Sequence, residues 1–219
     1  VIRGLGMYSA ETSTAMPDAH SWDQPGEGDP HARLIELRDA CMGHAGSFTW
    51  VGLFEPPRDE LSMVAEVFDL PRLQVEDAAN PEQRPKFEID DHGHGLALVK
   101  VLDYRDSTSD VLTGQLAVFI GPWYVVTVRY GQIGDLSGIR ERLDASPELR
   151  GIGPAGVLYA IMDMVVDGYL IISDEVAADV ENLESRVFAQ ERISGNANSI
   201  YRLKRENIEI DRKSTRLNS

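Results

Sequence analysis

Carboxylates at two places in this chain have the types and spacing to hold a hard divalent cation. Glu76 and Asp77 are adjacent at the end of a short helical pattern, while Asp163 and Asp167 lie four apart in a much longer one that Asp174 and Glu181 continue. Mg2+ takes oxygen donors and keeps several waters, often with only one or two protein carboxylates, so such pairs suffice for it. A solvated helix face produces the same row of acids and binds nothing. His92 and His94, joined by His20, His31 or His44, are a second candidate, a transition-metal site. A closed zinc site needs four ligands, and the sequence offers no spacing that supplies them. Covalent and nucleotide chemistry find little support, since Gly-x-Ser-x-Gly and Gly-x-x-x-x-Gly-Lys are both missing. Gly151-Ile152-Gly153-Pro154-Ala155-Gly156 imitates a dinucleotide loop but lacks the strand–helix context, and reads as the unwound start of a long helix.

The elements that must position these acids follow from periodicity. Leu61, Val64, Ala65 and Phe68 recur at helical spacing, Asp69-Leu70-Pro71 stops that helix, and a shorter one carries Leu73, Val75 and Ala79 up to Asn80-Pro81. Glu76 and Asp77 therefore fall in its last turn, where the negative helix end disfavours carboxylates and calls for a compensating cation. Ser47–Leu53 reads as a strand, Lys86–Asp90 alternates as another, and Leu96–Leu102 is an apolar run suited to a central strand. Gln115–Ile120 and Tyr124–Arg129 are two more, joined by the tight turn Gly121-Pro122-Trp123. An antiparallel sheet with helices on one face is the simplest assembly. Leu136–Leu143 is a modest helix.

The longest element carries a stripe at Leu158, Met162, Val165, Tyr169, Ile172, Val176, Val180, Leu183 and Val187. Gly168 inside it costs about 1 kcal/mol relative to alanine, which packing must offset. Residues 194–199 break the helix and Ile200–Ile210 begins another, which implies an antiparallel helical hairpin.

With 219 residues and a net charge of −15, the chain suits cations better than nucleic acid, although acidity also serves simple dispersal. Cys41, the single cysteine, forms no internal disulfide. No run approaches the roughly 18 to 20 apolar residues of a membrane span, and the start is no signal peptide. Four regions are expected: 1–30 irregular, 31–150 an α/β unit, 151–212 long helices packing on the sheet, and 213–219 a vector-derived tail with natural sequence continuing past it.

Leu73-Gln74-Val75-Glu76-Asp77, Gln83-Arg84-Pro85-Lys86-Phe87-Glu88, the strand pair around Gly121-Pro122, Asp163 in the long helix and Tyr201-Arg202-Leu203-Lys204-Arg205 occur in one order. That ordered set resembles the cytoplasmic domain of CorA-type magnesium channels from about Phe48 to Arg212. The resemblance implies an α+β, αβα-layered domain with a mixed or antiparallel sheet, a long C-terminal helical hairpin and no enzyme activity. It also implies a pentamer in the full-length parent, membrane-anchored with this domain on the cytoplasmic side. By position Asp77 and Glu76 match the regulatory acidic pair at a subunit boundary and Asp163 a further ligand, with Asp167 one turn on. The resemblance implies that Mg2+ bound there holds the channel closed. The Gly-Met-Asn pore motif, the membrane helices and the stalk acid that completes the site are absent from this sequence. Family members that favour Co2+, Ni2+ or Zn2+ leave the conducted ion open, and the fragment itself is expected to be a soluble monomer or dimer. Two other readings compete: a metal-dependent hydrolase using Asp163 and Asp167 with His92 or His94 as base, and a purely structural oligomerisation module.

Overall fold

The structure is a computed structural model that describes residues 1–10, 13–15, 29–105, 110–131 and 136–188, and positions 201, 204, 205 and 208. In chain order the elements are β1 (Ile2–Tyr8), β2 (Ser13–Ala15), α1 (Pro30–Gly43), β3 (Phe48–Phe54), α2 (Arg58–Val67) and α3 (Arg72–Ala78). There follow β4 (Lys86–Ile89), β5 (Gly95–Arg105), β6 (Asp110–Ile120), β7 (Tyr124–Tyr130), α4 (Ser137–Ala145), α5 (Pro147–Gly151) and α6 (Pro154–Phe188).

Seven strands make one sheet in the order β2-β1-β3-β7-β6-β5-β4. The β4-β5-β6-β7 meander is antiparallel, as the hairpin signals lead one to expect. β3 joins β7 in parallel, with Trp50 opposite Val125 and Val51 opposite Val126, so the sheet is mixed. Two helices intervene between β3 and the meander, and a crossover of that length is what parallel pairing needs.

Both faces are covered. Leu61, Val64, Val67 and Phe68 of α2 and Leu34 and Leu37 of α1 pack with Val51, Leu53, Leu96, Leu98 and Phe119 in one core. On the other face Ile139 and Leu143 of α4 and Val157, Ile161 and Val165 of α6 pack with Trp50, Val99, Val118 and Val125. Alternate residues of each strand feed opposite cores, as at Leu96/Leu98 against Ala97/Val99, which is the αβα layering expected.

The expectation of an irregular segment over residues 1–30 is corrected at its start. β1 is a buried strand pairing antiparallel with β3, from Ile2 opposite Leu53 to Tyr8 opposite Phe48. Gly4 and Gly6 hide it from a pattern search, and at both a neighbouring side chain takes the space a Cβ would fill. A Cβ on Gly4 would meet the Arg140 guanidinium at 2.7 Å, and one on Gly6 the Tyr8 ring at 2.7 Å. Arg140 fills that space because it stacks over the Trp50 ring, 4.1 Å from its centroid, and donates to the Tyr8 hydroxyl at 3.2 Å. Residues 16–28 lie outside the described ones.

α6 has the length its stripe implies, but the expectation that no run approaches a membrane span is corrected: Pro154–Ser185 would pass for one by length and composition. Its Val157, Ala160, Ile161 and Val165 are buried against the sheet, so this half is a packed core helix. Ile172 and Val176 continue the stripe onto Leu102. The loop before it holds the short α5 and Gly153 at φ +77, and Gly156, inside the helix, would place a Cβ 2.3 Å from the Leu149 carbonyl oxygen. The expected break at 194–199 and the tail at 213–219 fall outside the described residues; Tyr201, Lys204, Arg205 and Ile208 are helical.

Candidate functional site

α3 begins directly after Pro71, whose fixed φ suits a helix start, and runs only to Ala78. Residues 80–83 close it off. Asn80 Oδ1 accepts from the Glu82 N–H at 3.1 Å, folding the chain back, and Asn80 O accepts from the Gln83 N–H at 3.0 Å. Gln115 of β6, 2% exposed, reaches over from the sheet and donates its amide to Ala78 O at 3.2 Å and Asn80 O at 3.0 Å. Carbonyls left open by the helix end are thereby satisfied from the sheet. Lys100 of β5 donates to Pro81 O at 2.7 Å and to Gln115 Oε1 at 2.9 Å. This lattice fixes the α3–β4 connection and sets Asp77 beside the start of β4.

There Asp77 meets the protein's own cation. Lys86 Nζ lies 2.6 Å from Asp77 Oδ2 and 2.7 Å from Glu88 Oε1, and the Gln83 amide donates to Asp77 Oδ1. Asp77 and Lys86 are 27% and 26% exposed, so the pair is reachable from solvent. Partial burial pulls the Lys86 ammonium down, but the two carboxylates outweigh it and hold its pKa above the usual value. The compensation that the helix end called for thus comes, in this chain alone, from Lys86. Glu76 turns away from Asp77 and pairs with Arg72 one turn back at 3.0 Å, an exposed (i, i+4) contact.

Asp163 sits in the other layer. Arg142 of α4 donates to its Oδ2 at 2.7 Å, and that hydrogen bond raises the Arg142 pKa. Asp163 remains 35% exposed. Asp167, one turn on, is exposed, as are Asp174 and Glu181. The helices carrying Asp77 and Asp163 cover opposite faces of the sheet, so the predicted ligands are not brought together in one chain. Among the described residues no group of three or more His, Cys, Asp and Glu side chains is placed to share a metal.

The histidines are also dispersed. His31 and His44 stand at opposite ends of α1, and His20 lies outside the described residues. His92 and His94 occupy the β4–β5 turn, where their N–H groups bond to Asp90 Oδ1 at 2.8 and 2.9 Å. The His94 N–H, then desolvation acting the other way, then the His92 N–H set the balance that holds the Asp90 carboxyl below its ordinary value. His94 Nδ1 lies 3.0 Å from the Tyr124 hydroxyl. Neither imidazole is placed on the Asp163/Asp167 row. A cleft of about 840 Å³ lies along Glu55, Gln83, Lys100, Gln115, Tyr130 and Arg205, and it contains no histidine.

Sequence reasoning missed Lys86, Glu88 and Gln115 as the surroundings of Asp77, and Arg142 as the partner of Asp163. Only the Arg72–Glu76 contact was open to a spacing rule.

The family model for the CorA-like Mg2+ transporter protein matches residues 45–218. The chain belongs to that family. The match takes in both acid-bearing layers, and most of the stretch that reads as a tail. YfjQ of Bacillus subtilis (strain 168), whose name carries it as a candidate metal ion transporter, is 29% identical over 135 residues, 62% of this chain. This chain spans 41% of the length of YfjQ. Among solved structures, the soluble domain of CorA from Methanocaldococcus jannaschii superposes with a TM-score of 0.65 at 15% identity, covering 96% of this chain and 74% of that one. The cytoplasmic domain of ZntB from Vibrio parahaemolyticus RIMD 2210633 gives 0.61 at 14% identity, covering 95% and 74%. At such identities the structural likeness establishes the fold, which is that of CorA-like soluble domains.

Proposed function

We propose that this domain is the divalent-cation sensor of a CorA-like membrane transporter, lying on the cytoplasmic side, and that Mg2+ bound at its acids stabilises the closed state. Asp77 and Asp163 are the principal ligands, with Glu76 and Asp167 beside them. The observation that carries this reading is their separation: two solvent-reachable carboxylates sit in layers on opposite sides of one sheet, each held by a basic side chain. A cation joining such groups must join two copies, which suits a pentamer in the full-length parent. The donors are all oxygens, as Mg2+ requires, and Co2+, Ni2+ or Zn2+ would bind the same carboxylates with different preference.

Mechanistically this is linkage. A cation bridging neighbouring subunits stabilises the closed arrangement only by the difference between its affinities for the closed and open ones. Calorimetric and thermal-shift titrations with Mg2+ and Co2+, with Asp77→Ala as control, test the reading. Metal-dependent stabilisation that the substitution weakens is expected. Titrations flat for both proteins would favour the structural oligomerisation module instead.

A further inference from the structure

Lys100, Gln115 and Tyr130 stand opposite one another on three neighbouring strands and make a polar row across the sheet. The bonds of Gln115 to Ala78 O and of Lys100 to Pro81 O put this row on the side of α3, which ends there. Past that end the face opens into the cleft of about 840 Å³, the size at which small-molecule sites occur. Its other walls come from segments far apart in sequence: Arg84 from the α3–β4 connection, Glu55 from the end of β3, and Arg205 and Ile208 from the helical positions that follow α6.

The two arginines stand out. Acids outnumber Lys and Arg by 36 to 21 in this chain, and Arg38, Arg72 and Arg142 each pair with one. Arg84 and Arg205 do not: among the described residues neither guanidinium has an ion pair or a hydrogen bond. Both line the cleft, and the Lys100 ammonium brings a third positive charge to it. Against them stand Glu55 and Glu82, and Glu55 is already engaged, its carboxylate accepting from the Gly131 N–H at 3.2 Å. A guanidinium is a planar fork that matches a phosphate with two parallel hydrogen bonds, and a concave surface concentrates the field of such charges.

We propose that this cleft binds a nucleoside polyphosphate, with Arg84 and Arg205 holding its phosphates and the base lying against Tyr130 and Ile208. The walls supply one chemistry for each part of such a molecule. Tyr130 and Ile208, the latter 53% exposed, offer an aromatic and an aliphatic surface to a planar ring, and Glu82 is an acceptor for sugar hydroxyls. The site is separate from the carboxylates discussed above, and the inference stands whether or not Asp77 holds a cation. A bound polyphosphate joins the connection that sets Asp77 to the segment following α6, so it is a second input to the same domain.

The test is calorimetric titration of the full 219-residue chain with ATP, in EDTA and at constant ionic strength, so that no metal mediates the contact. One saturable site per chain is expected. Both arginines are exposed, so their variants should keep the thermal midpoint of the unmodified chain; Arg84→Ala and Arg205→Ala should each weaken ATP binding at least about tenfold, while Arg38→Ala on α1 leaves it unchanged. Sodium triphosphate should bind several-fold more weakly than ATP, and Tyr130→Leu should bring ATP down to the level of triphosphate. Equal affinity for ATP and triphosphate would overturn the nucleoside assignment. Failure of the unmodified chain to bind either compound, or equal binding by it and both arginine variants, would overturn the site. Binding to phosphatidylglycerol vesicles that Arg84→Ala abolishes and excess ATP does not compete would overturn the soluble ligand in favour of a lipid headgroup.

Discussion

Tyr124 shows how one residue's surroundings become a property of the fold. Its ring lies in the first core against Phe68 and Trp123, with centroids 5.6 and 5.1 Å away, and its hydroxyl meets His94. Burial, followed by the negative charges of Asp69 and Asp90, pushes its pKa up to about 12. The folded state therefore favours the neutral phenol, so the stabilising contribution is complete below the ordinary value of about 10 and is lost as pH rises toward 12. The thermal midpoint should fall between pH about 10 and about 12, and Tyr124→Phe should flatten that fall; identical slopes in the two proteins would show that other groups cause it. The acids of the site are simpler. Residue type, spacing and the family resemblance made Asp77 and Asp163 candidate cation ligands, but their partners Lys86 and Arg142 lie nine and twenty-one residues away in sequence, in geometry set by the sheet and by α4. Local periodicity carries no information about such pairs.

Among the elements, legibility followed the regularity of the apolar pattern. α2, α3 and β4 to β7 have clean periods and clear punctuation, and the structure has all of them, with β5 running on to Arg105 and β6 beginning already at Asp110. β1 was invisible because Gly4 and Gly6 stand where a strand pattern expects bulk, the space being taken by Arg140 and Tyr8. The start of α5 was equally hidden. Arg150, 6% exposed, donates to the carbonyls of Leu143, Asp144 and Ser9, tying the end of α4 to the end of β1. Gly168 gives an element-scale prediction. The sequence suggests that packing offsets its cost, yet a Cβ built there meets nothing within 4 Å. Gly168→Ala should raise stability by up to about 1 kcal/mol in urea unfolding, without changing the slope of the transition. A loss of stability would mean that the position is covered by a close neighbour in solution.

For the whole molecule, the arrangement divides labour between the two faces. One layer presents Asp77 with Lys86 and Glu88; the other presents Asp163 with Arg142 and the exposed acids further along α6. Tyr159, Val166, Leu170 and Ile171 on the same helix are also exposed, so α6 offers apolar and acidic surface side by side. A single copy brings neither pair of acids to the other, so in the function proposed above sensing belongs to an assembly of copies. The most direct test is cation flux through the full-length parent in liposomes, followed as Mg2+ on the domain side is raised. Asp77→Ala and Asp163→Ala should each need several-fold more Mg2+ to close than the unmodified protein; one closure curve shared by all three would contradict the account.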